Sequence, residues 1–462
     1  MLEVSSGQPS AAGEEAASDL DFMLNVLHWT GLMRHPHAAP WSCRVYYLVN
    51  AFSTVAFLLF ICSQFVLLWR NGTTDLEVFT LTVCILITSC SWMIRLRHLA
   101  AWEVEFQRLA MEMRFGFDEF LSADELRLLH LRSRSHRRFV SAYLCSGLFT
   151  SAAFVSIPVS AEGFPFVMAL PYDACQPFAF AATWLYTAYL VFYVVTANRA
   201  ADSFNISLIV QLRNQLDLLS RKLCNLNDCI SHTKSSSIKE TQRSEDVSQD
   251  VYYRLRKCIL HHQSIIRNVE LLEQCLGRML LGQCLANGTS ICLLLFQAAK
   301  RAKGVQELGK TSSYLLNTLF DLFVYCWFGD DLISESEKVA SSAYDAVPSV
   351  QECPTGIKRS LLLLMLRAQR PLRITAGGFF ALCRESFVSS VRAACNKGPN
   401  PEKKRILRNY DVMKIGEKTM TELIDKWKEQ EGPMGEVGVQ GSLSHGQTAA
   451  FMTPMTRKTC VV

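Results

Sequence analysis

Half of the 462 residues are hydrophobic, only 19% are charged, and phenylalanine is abundant at 27. This is the composition of an integral membrane protein built as one compact bundle, and with a net charge of only +5 no nucleic-acid partner is expected. Residues 1–19 are polar and acidic (Glu3, Glu14, Glu15, Asp19) and lack the apolar core of a cleavable signal, so the first apolar run must act as the insertion signal.

In chain order, residues 1–44 form a cytosolic arm in which 20–32 (LDFMLNVLHWTGL), apolar around Asn25 and His28, suit a short interfacial helix. Six charge-poor runs follow: Val45 to Trp69, Val78 to Ile94, Phe139 to Ala161, Phe178 to Ala197, Met279 to Ala299 and Thr311 to Gly329. At about 1.5 Å rise per residue most of them can cross a hydrocarbon core of about 30 Å. The 17-residue second run is marginal alone. A seventh span is placed at Ile374 to Cys395, where only ten residues precede Arg384 and Glu385, so it is weak and atypical.

Lys and Arg alternate across these spans. The arm holds 2, and the six following loops hold 1, 9, 0, 12, 4 and 6. The positive-inside tendency therefore puts the even loops and the N-terminus in the cytosol. The expected fold is an all-α, polytopic, seven-transmembrane helical bundle in the lipid bilayer, domain 45–395, with long cytosolic helix extensions and a polar, basic tail at 396–462.

Two extensions are expected in the fourth loop. Ser203 to Leu226 and Tyr252 to Leu276 repeat apolar residues at helical spacing, and Ser231 to Asp250 between them reads as a polar, Ser-rich linker. Loop two, Arg95 to Arg138, also reads as helical, continuing the neighbouring spans inward. The 17 cysteines fall mostly in spans and cytosolic loops and read as small packing residues. Asn71-Gly72-Thr73 is a glycosylation sequon close to the membrane on the expected outer side.

No catalytic motif appears: there is no phosphate-cradling Gly-rich loop, no H-E-x-x-H and no G-x-S-x-G elbow. His261 and His262 are adjacent, so on a helix they point about 100° apart and do not chelate one metal as an i, i+4 pair does. An enzyme is not expected, nor a cofactor or metal.

A binding role has more support. The loop Glu162 to Pro177 carries Phe164, Pro165, Phe166, Pro171, Tyr172 and Pro177 without a Lys or Arg, and suits an apolar lid over the outer mouth of the bundle. Phe79, Thr80, Ser151, Phe154, Trp184, Tyr186, Thr187, Tyr314 and Asn317 sit in the outer halves of four spans. Apolar walls with a few hydroxyls and amides describe a small-ligand pocket, and equally lipid-facing and packing positions. Asp321 is the sole formal charge in the first six spans. It is costly there and calls for an interior partner that the sequence does not identify, which marks it equally as a functional candidate and as a packing residue inside a helix interface.

Three segments then carry a resemblance: LRKCILHHQSIIRNVELLEQ around His261-His262-Gln263, YCWFGDDLISESEKVASSAYD at Tyr325 to Asp345, and LLLLMLRAQRPLRITAGGFFALCRESFVSSVRAA at Leu361 to Ala394. Together they resemble insect odorant receptors, in one order from about Leu20 to Ala394. The resemblance implies a plasma-membrane subunit of olfactory sensory neurons that binds a small volatile odorant. With the shared odorant co-receptor it would form a heterotetrameric, non-selective cation channel, and Phe387 and Val391 on the seventh helix would line the pore. A gustatory-type channel is the nearest alternative. A G-protein-coupled receptor would place its N-terminus outside and show D-R-Y and N-P-x-x-Y, and a transporter or scaffold would give no ligand-evoked current. Pocket chemistry of this sort fits esters, alcohols, terpenes and aromatics alike.

The likeness stops at Ala394, where a family member would complete its seventh helix. Here the chain turns at Cys395 into NKGPNPEKKRILRNY and onward, with 11 Lys and Arg from Lys397. The expectation is a defective pore or a divergent or mis-spliced form, with six spans and a cytosolic tail as the alternative to seven.

Overall fold

The computed structural model describes residues 11–71, 76–113, 123–156, 163–172, 176–227, 240–300, 305–351 and 353–396. Ten α-helices run through them: α1 (Ala11–Trp29), α2 (Pro40–Asn71), α3 (Leu76–Ala101), α4 (Glu103–Glu112), α5 (Ala123–Ser156), α6 (Pro177–Cys224), α7 (Glu240–Lys300), α8 (Val305–Asp345), α9 (Thr355–Ala368) and α10 (Arg384–Asn396). Among the described residues, five helical stretches are long and apolar enough to cross a membrane: Pro40–Arg70, Val78–Ala101, Leu131–Ser156, Pro177–Cys224 and Gln249–Leu295. They overlap the first five expected spans, the third of which runs on into residues 157–161, outside the described set. The sixth lies in α8, whose apolar run Asp321 interrupts.

The periodicity of α2 shows how an apolar helix sits between lipid and protein. Ser53, Ala56, Phe57, Phe60, Gln64 and Leu67 are buried, three or four residues apart on one face. Phe52, Val55, Leu58, Leu59, Phe65 and Trp69 are exposed on the other. A helix apolar all round whose outer face is unpacked by protein is one that meets hydrocarbon.

Helix α6 is the axis of the bundle and packs on α8, α5, α1 and α7. Its 48 residues and the 61 of α7 exceed what a bilayer needs. Their inner halves are the expected extensions, and Phe204, Ile206, Leu208, Ile209, Leu212, Leu216 and Leu219 are fully buried there. Helix α7 begins at Glu240, so the second half of the expected linker at Ser231 to Asp250 is helical; residues 228–239 lie outside the described set. Gln249 and Asp250 in this polar stretch are exposed. His261 and His262 are buried in this same helix.

The N-terminal arm departs from the interfacial reading. Leu20, Met23, Leu24, Leu27 and His28 are buried and α1 packs on α6 and α5. His28 stacks on Tyr46 at 5.4 Å, and its Nε2 lies 2.8 Å from Ser42 Oγ while its Nδ1 accepts the His35 backbone N–H at 3.2 Å. The two bonds make the ring neutral and Nε2-protonated, and burial lowers its pKa below the ordinary histidine value. Asn50 and Tyr193 donate to the Gly31 and Thr30 carbonyls at 2.7 and 3.0 Å, tying the end of the arm to α2 and α6.

The seventh span differs most from expectation. Ile374 to Cys383 does not continue a helix but makes a two-stranded hairpin, β1 (Thr375–Ala376) and β2 (Phe380–Ala381), with Thr375 opposite Ala381 and Ala376 opposite Phe380. Gly377 and Gly378 have φ of 60° and 82°, the left-handed conformation that only glycine adopts at no steric cost and that a helix cannot contain. Helix α10 thus starts at Arg384, and its described part is 13 residues long. Residues 397–462 of the tail, like Gly72 and Thr73 of the sequon, lie outside the described residues.

Candidate functional site

A cavity of about 220 Å³ opens inside the bundle between α2, α3, α5, α6, α7 and α8. One part of its wall is apolar: Phe57, Phe60, Trp92, Phe154, Phe166, Leu190 and Val191. Phe166 belongs to the loop read as a lid and packs between Phe60 and Phe154, with ring centroids at 5.2 and 5.3 Å. Gln64 donates to the Val167 carbonyl at 3.1 Å, and the Tyr172 hydroxyl meets Thr183 at 2.6 Å, so the loop is held to the bundle at two points along its length.

The other part is polar and charged. Arg95, Asn198, Asp202, Asn317 and Asp321 all line it. Asp321 has the partner it requires: Arg199 Nη1 is 2.5 Å from its Oδ1, and the Tyr143 hydroxyl donates to the same oxygen at 3.0 Å. Arg199 also donates to Asn317 Oδ1 and lies over the Tyr143 ring, 4.1 Å from its centroid. A second pair, Arg95 with Asp202, is joined by Tyr325, which donates to Asp202 at 2.6 Å, and by Asn198, which accepts from Arg95 at 3.1 Å. Two cations and two anions leave the cluster neutral, the condition under which ionised groups persist in a dry interior.

Of the nine expected pocket residues, Ser151, Phe154, Tyr314 and Asn317 line this cavity. Phe79, Thr80, Trp184, Tyr186 and Thr187 do not. Tyr186 donates to the Ala56 carbonyl at 2.7 Å, Thr187 bonds back to its own helix at the Thr183 and Trp184 carbonyls, and Trp184 is partly exposed. The charge cluster was invisible beforehand apart from Asp321, because Arg95, Arg199 and Asp202 fall just past apolar runs and read as loop residues. Their one signal was that Arg95 and Arg199 directly follow spans. Phe57, Phe60 and Trp92 were missed because cavity-facing and lipid-facing aromatics look alike in sequence.

The family model described as 7tm Odorant receptor matches residues 75–395, well over half of the chain. The chain belongs to that family. Odorant receptor Or2 of Anopheles gambiae is 25% identical over 269 residues, covering 57% of this receptor and 68% of the relative. Odorant receptor 13a of Drosophila melanogaster is 22% identical over 367 residues, 74% of this receptor and 84% of the relative. Among solved structures, the insect olfactory receptor OR5 from Machilis hrabei in complex with eugenol shares the fold with a TM-score of 0.69 at 12% identity, covering 86% of this receptor and 99% of that chain. This odorant receptor is therefore a multi-pass membrane receptor and not an enzyme.

The receptor's Phe387 and Val391, expected to line a pore, instead bury against the bundle. The Phe387 ring meets Phe323 of α8 at 5.4 Å, and Arg384 lies over Trp327 at 3.8 Å while bridging Asp330 and Asp331 at 3.3 and 3.1 Å. A side chain that faced a central pore would be exposed in the single chain. The face of α10 that α8 leaves open carries Glu385, Ser389 and Arg392, spaced four and three residues apart.

Proposed function

We propose that this odorant receptor is a ligand-gated channel subunit that binds a small volatile molecule in the bundle cavity. It assembles with the shared odorant co-receptor in the plasma membrane of olfactory sensory neurons and opens a non-selective cation pore. One observation carries the ligand site: a cavity of about 220 Å³ beside Phe166, aromatic along one wall, in a chain of this family. Dry cavities of about 150 Å³ hold a benzene-sized molecule, so this one accommodates a substituted ring or a short chain. Eugenol, the ligand of the Machilis hrabei receptor of the same fold, is of that class.

Gating follows from α8, which contributes Tyr314, Asn317, Thr318 and Asp321 to the cavity and Phe323 and Trp327 to α10. A ligand that binds better to one arrangement of α8 shifts α10 with it. Helix α10 supplies the pore wall through the face of Ser389 and Arg392. The expected test is current recording from cells expressing the full chain with the co-receptor against an odour panel. Ser151→Trp, which fills the cavity, is expected to abolish ligand-evoked current at unchanged surface level; full responses from this variant overturn the assignment of the site.

A further inference from the structure

We infer that the ligand this cavity selects carries a hydroxyl group, as an alcohol or a phenol, read jointly by Asn317 and Asp321. The inference rests on the cavity being the ligand site and adds the chemical class. Asn317 and Asp321 stand four residues apart on one face of α8, both in the cavity wall. Arg199 sets the direction of each. A guanidinium only donates, so the atom of Asn317 that meets it is the carbonyl oxygen, and the amide nitrogen is left as a donor. No described residue accepts from that nitrogen.

Asp321 is divided in the same way. Its Oδ1 accepts the Tyr143 hydroxyl and faces Arg199 Nη1 in an ion pair, while its Oδ2 accepts from no described residue. The Asp321 side chain keeps 19% of its surface where that of Arg199 keeps 3%. The cavity therefore presents one open donor and one open acceptor, a turn apart, at the polar end of an aromatic box. A hydroxyl satisfies both, donating to the carboxylate and accepting from the amide. An ether, ester or ketone only accepts and would leave the carboxylate oxygen desolvated, which is the condition that gives strong discrimination against an analogue lacking the donor. A hydrocarbon satisfies neither.

Arg199 acts as a positioning residue: it holds Oδ1 and the amide oxygen so that Oδ2 and the amide nitrogen are offered to the ligand. It also balances the carboxylate, so the ligand need not be a cation.

The test uses a matched pair, 4-propylphenol and its methyl ether 4-propylanisole, on the full chain with the co-receptor. The wild type is expected to respond to the phenol at a concentration at least tenfold below that for the ether, the range of one hydrogen bond to a charged group. Asn317→Leu and the charge-balanced double variant Arg199→Gln/Asp321→Asn are expected to bring the ratio of the two sensitivities close to one. Because each variant is judged on a ratio, expression level does not enter. Equal wild-type sensitivity, or an unchanged ratio in both variants, overturns the inference. If Ser151→Trp still abolishes both responses in that case, the ligand site stands and only the hydroxyl reading falls. Should neither probe evoke current, thermal stabilisation of the purified receptor decides: a shift with the phenol and a smaller one with the ether supports the inference, and equal or absent shifts overturn it.

Discussion

Asp202 touches Arg95 with one carboxylate oxygen and takes the Tyr325 hydroxyl on the same atom, 1% exposed as a side chain. Such a pair is worth little against an apolar replacement of both partners, yet removing one partner strands the other charge. Asp202→Leu is therefore expected to cost about 3–5 kcal/mol, and the double change Arg95→Met/Asp202→Leu much less. Thermal unfolding of the detergent-purified receptor measures both, and equal losses in the two would remove the stranded-charge account. The non-additivity is the point, because it separates a cluster that must be neutral from one that merely packs. Neutrality was not legible in the chain: Asp321 was recognisable as a costly charge, but Arg199 lies 122 positions away and reads as a loop residue.

At the scale of elements, α8 and the β1–β2 hairpin meet at Gly329. A Cβ placed there would stand 2.5 Å from the Leu382 carbonyl oxygen and 2.8 Å from its Cβ. Backbone against backbone cannot yield as a flexible side chain does. Gly329→Ala is expected to destabilise the receptor by about 1–3 kcal/mol and to weaken the hold of α8 on α10. Lowered maximal current at normal surface level would show it, and wild-type currents would count against α8 as the link. The hairpin itself illustrates a tertiary override. Ile374 to Cys395 has the length of a span, but Gly377-Gly378 turns the chain, Leu382 donates back to Ile374 at 2.9 Å, and Thr375 bonds Glu273 of α7. Two consecutive glycines were the available signal; what they turn against was not.

For the molecule as a whole, the arm and the even loops share the side richer in Lys and Arg. An epitope tag at the N-terminus is expected to stain only after permeabilisation, and staining of intact cells would reverse the orientation. The long inner halves of α6 and α7, joined to α1, α4 and α9, make a cytosolic body whose apolar spacing was evident over Ser203 to Leu226 and Tyr252 to Leu276.

Six apolar runs, the long helical extensions and the family resemblance were legible in the amino-acid order, because a bilayer imposes a length on each segment separately. Such constraints are local and survive without knowing which helix meets which. The cavity was not of that kind. Four of nine expected residues face the cavity, and Arg95, Arg199, Asp202, Phe57, Phe60 and Trp92 joined it only through the packing of six helices. Which side of an apolar helix meets lipid and which meets a cavity depends on its neighbours, and so does which oxygen of Asp321 meets Arg199 and Tyr143. From the chain alone alcohols, esters, terpenes and aromatics were equal; the hydroxyl reading inferred above draws on the placement of Arg199 beside Asn317 and Asp321, which only the folded chain brings together.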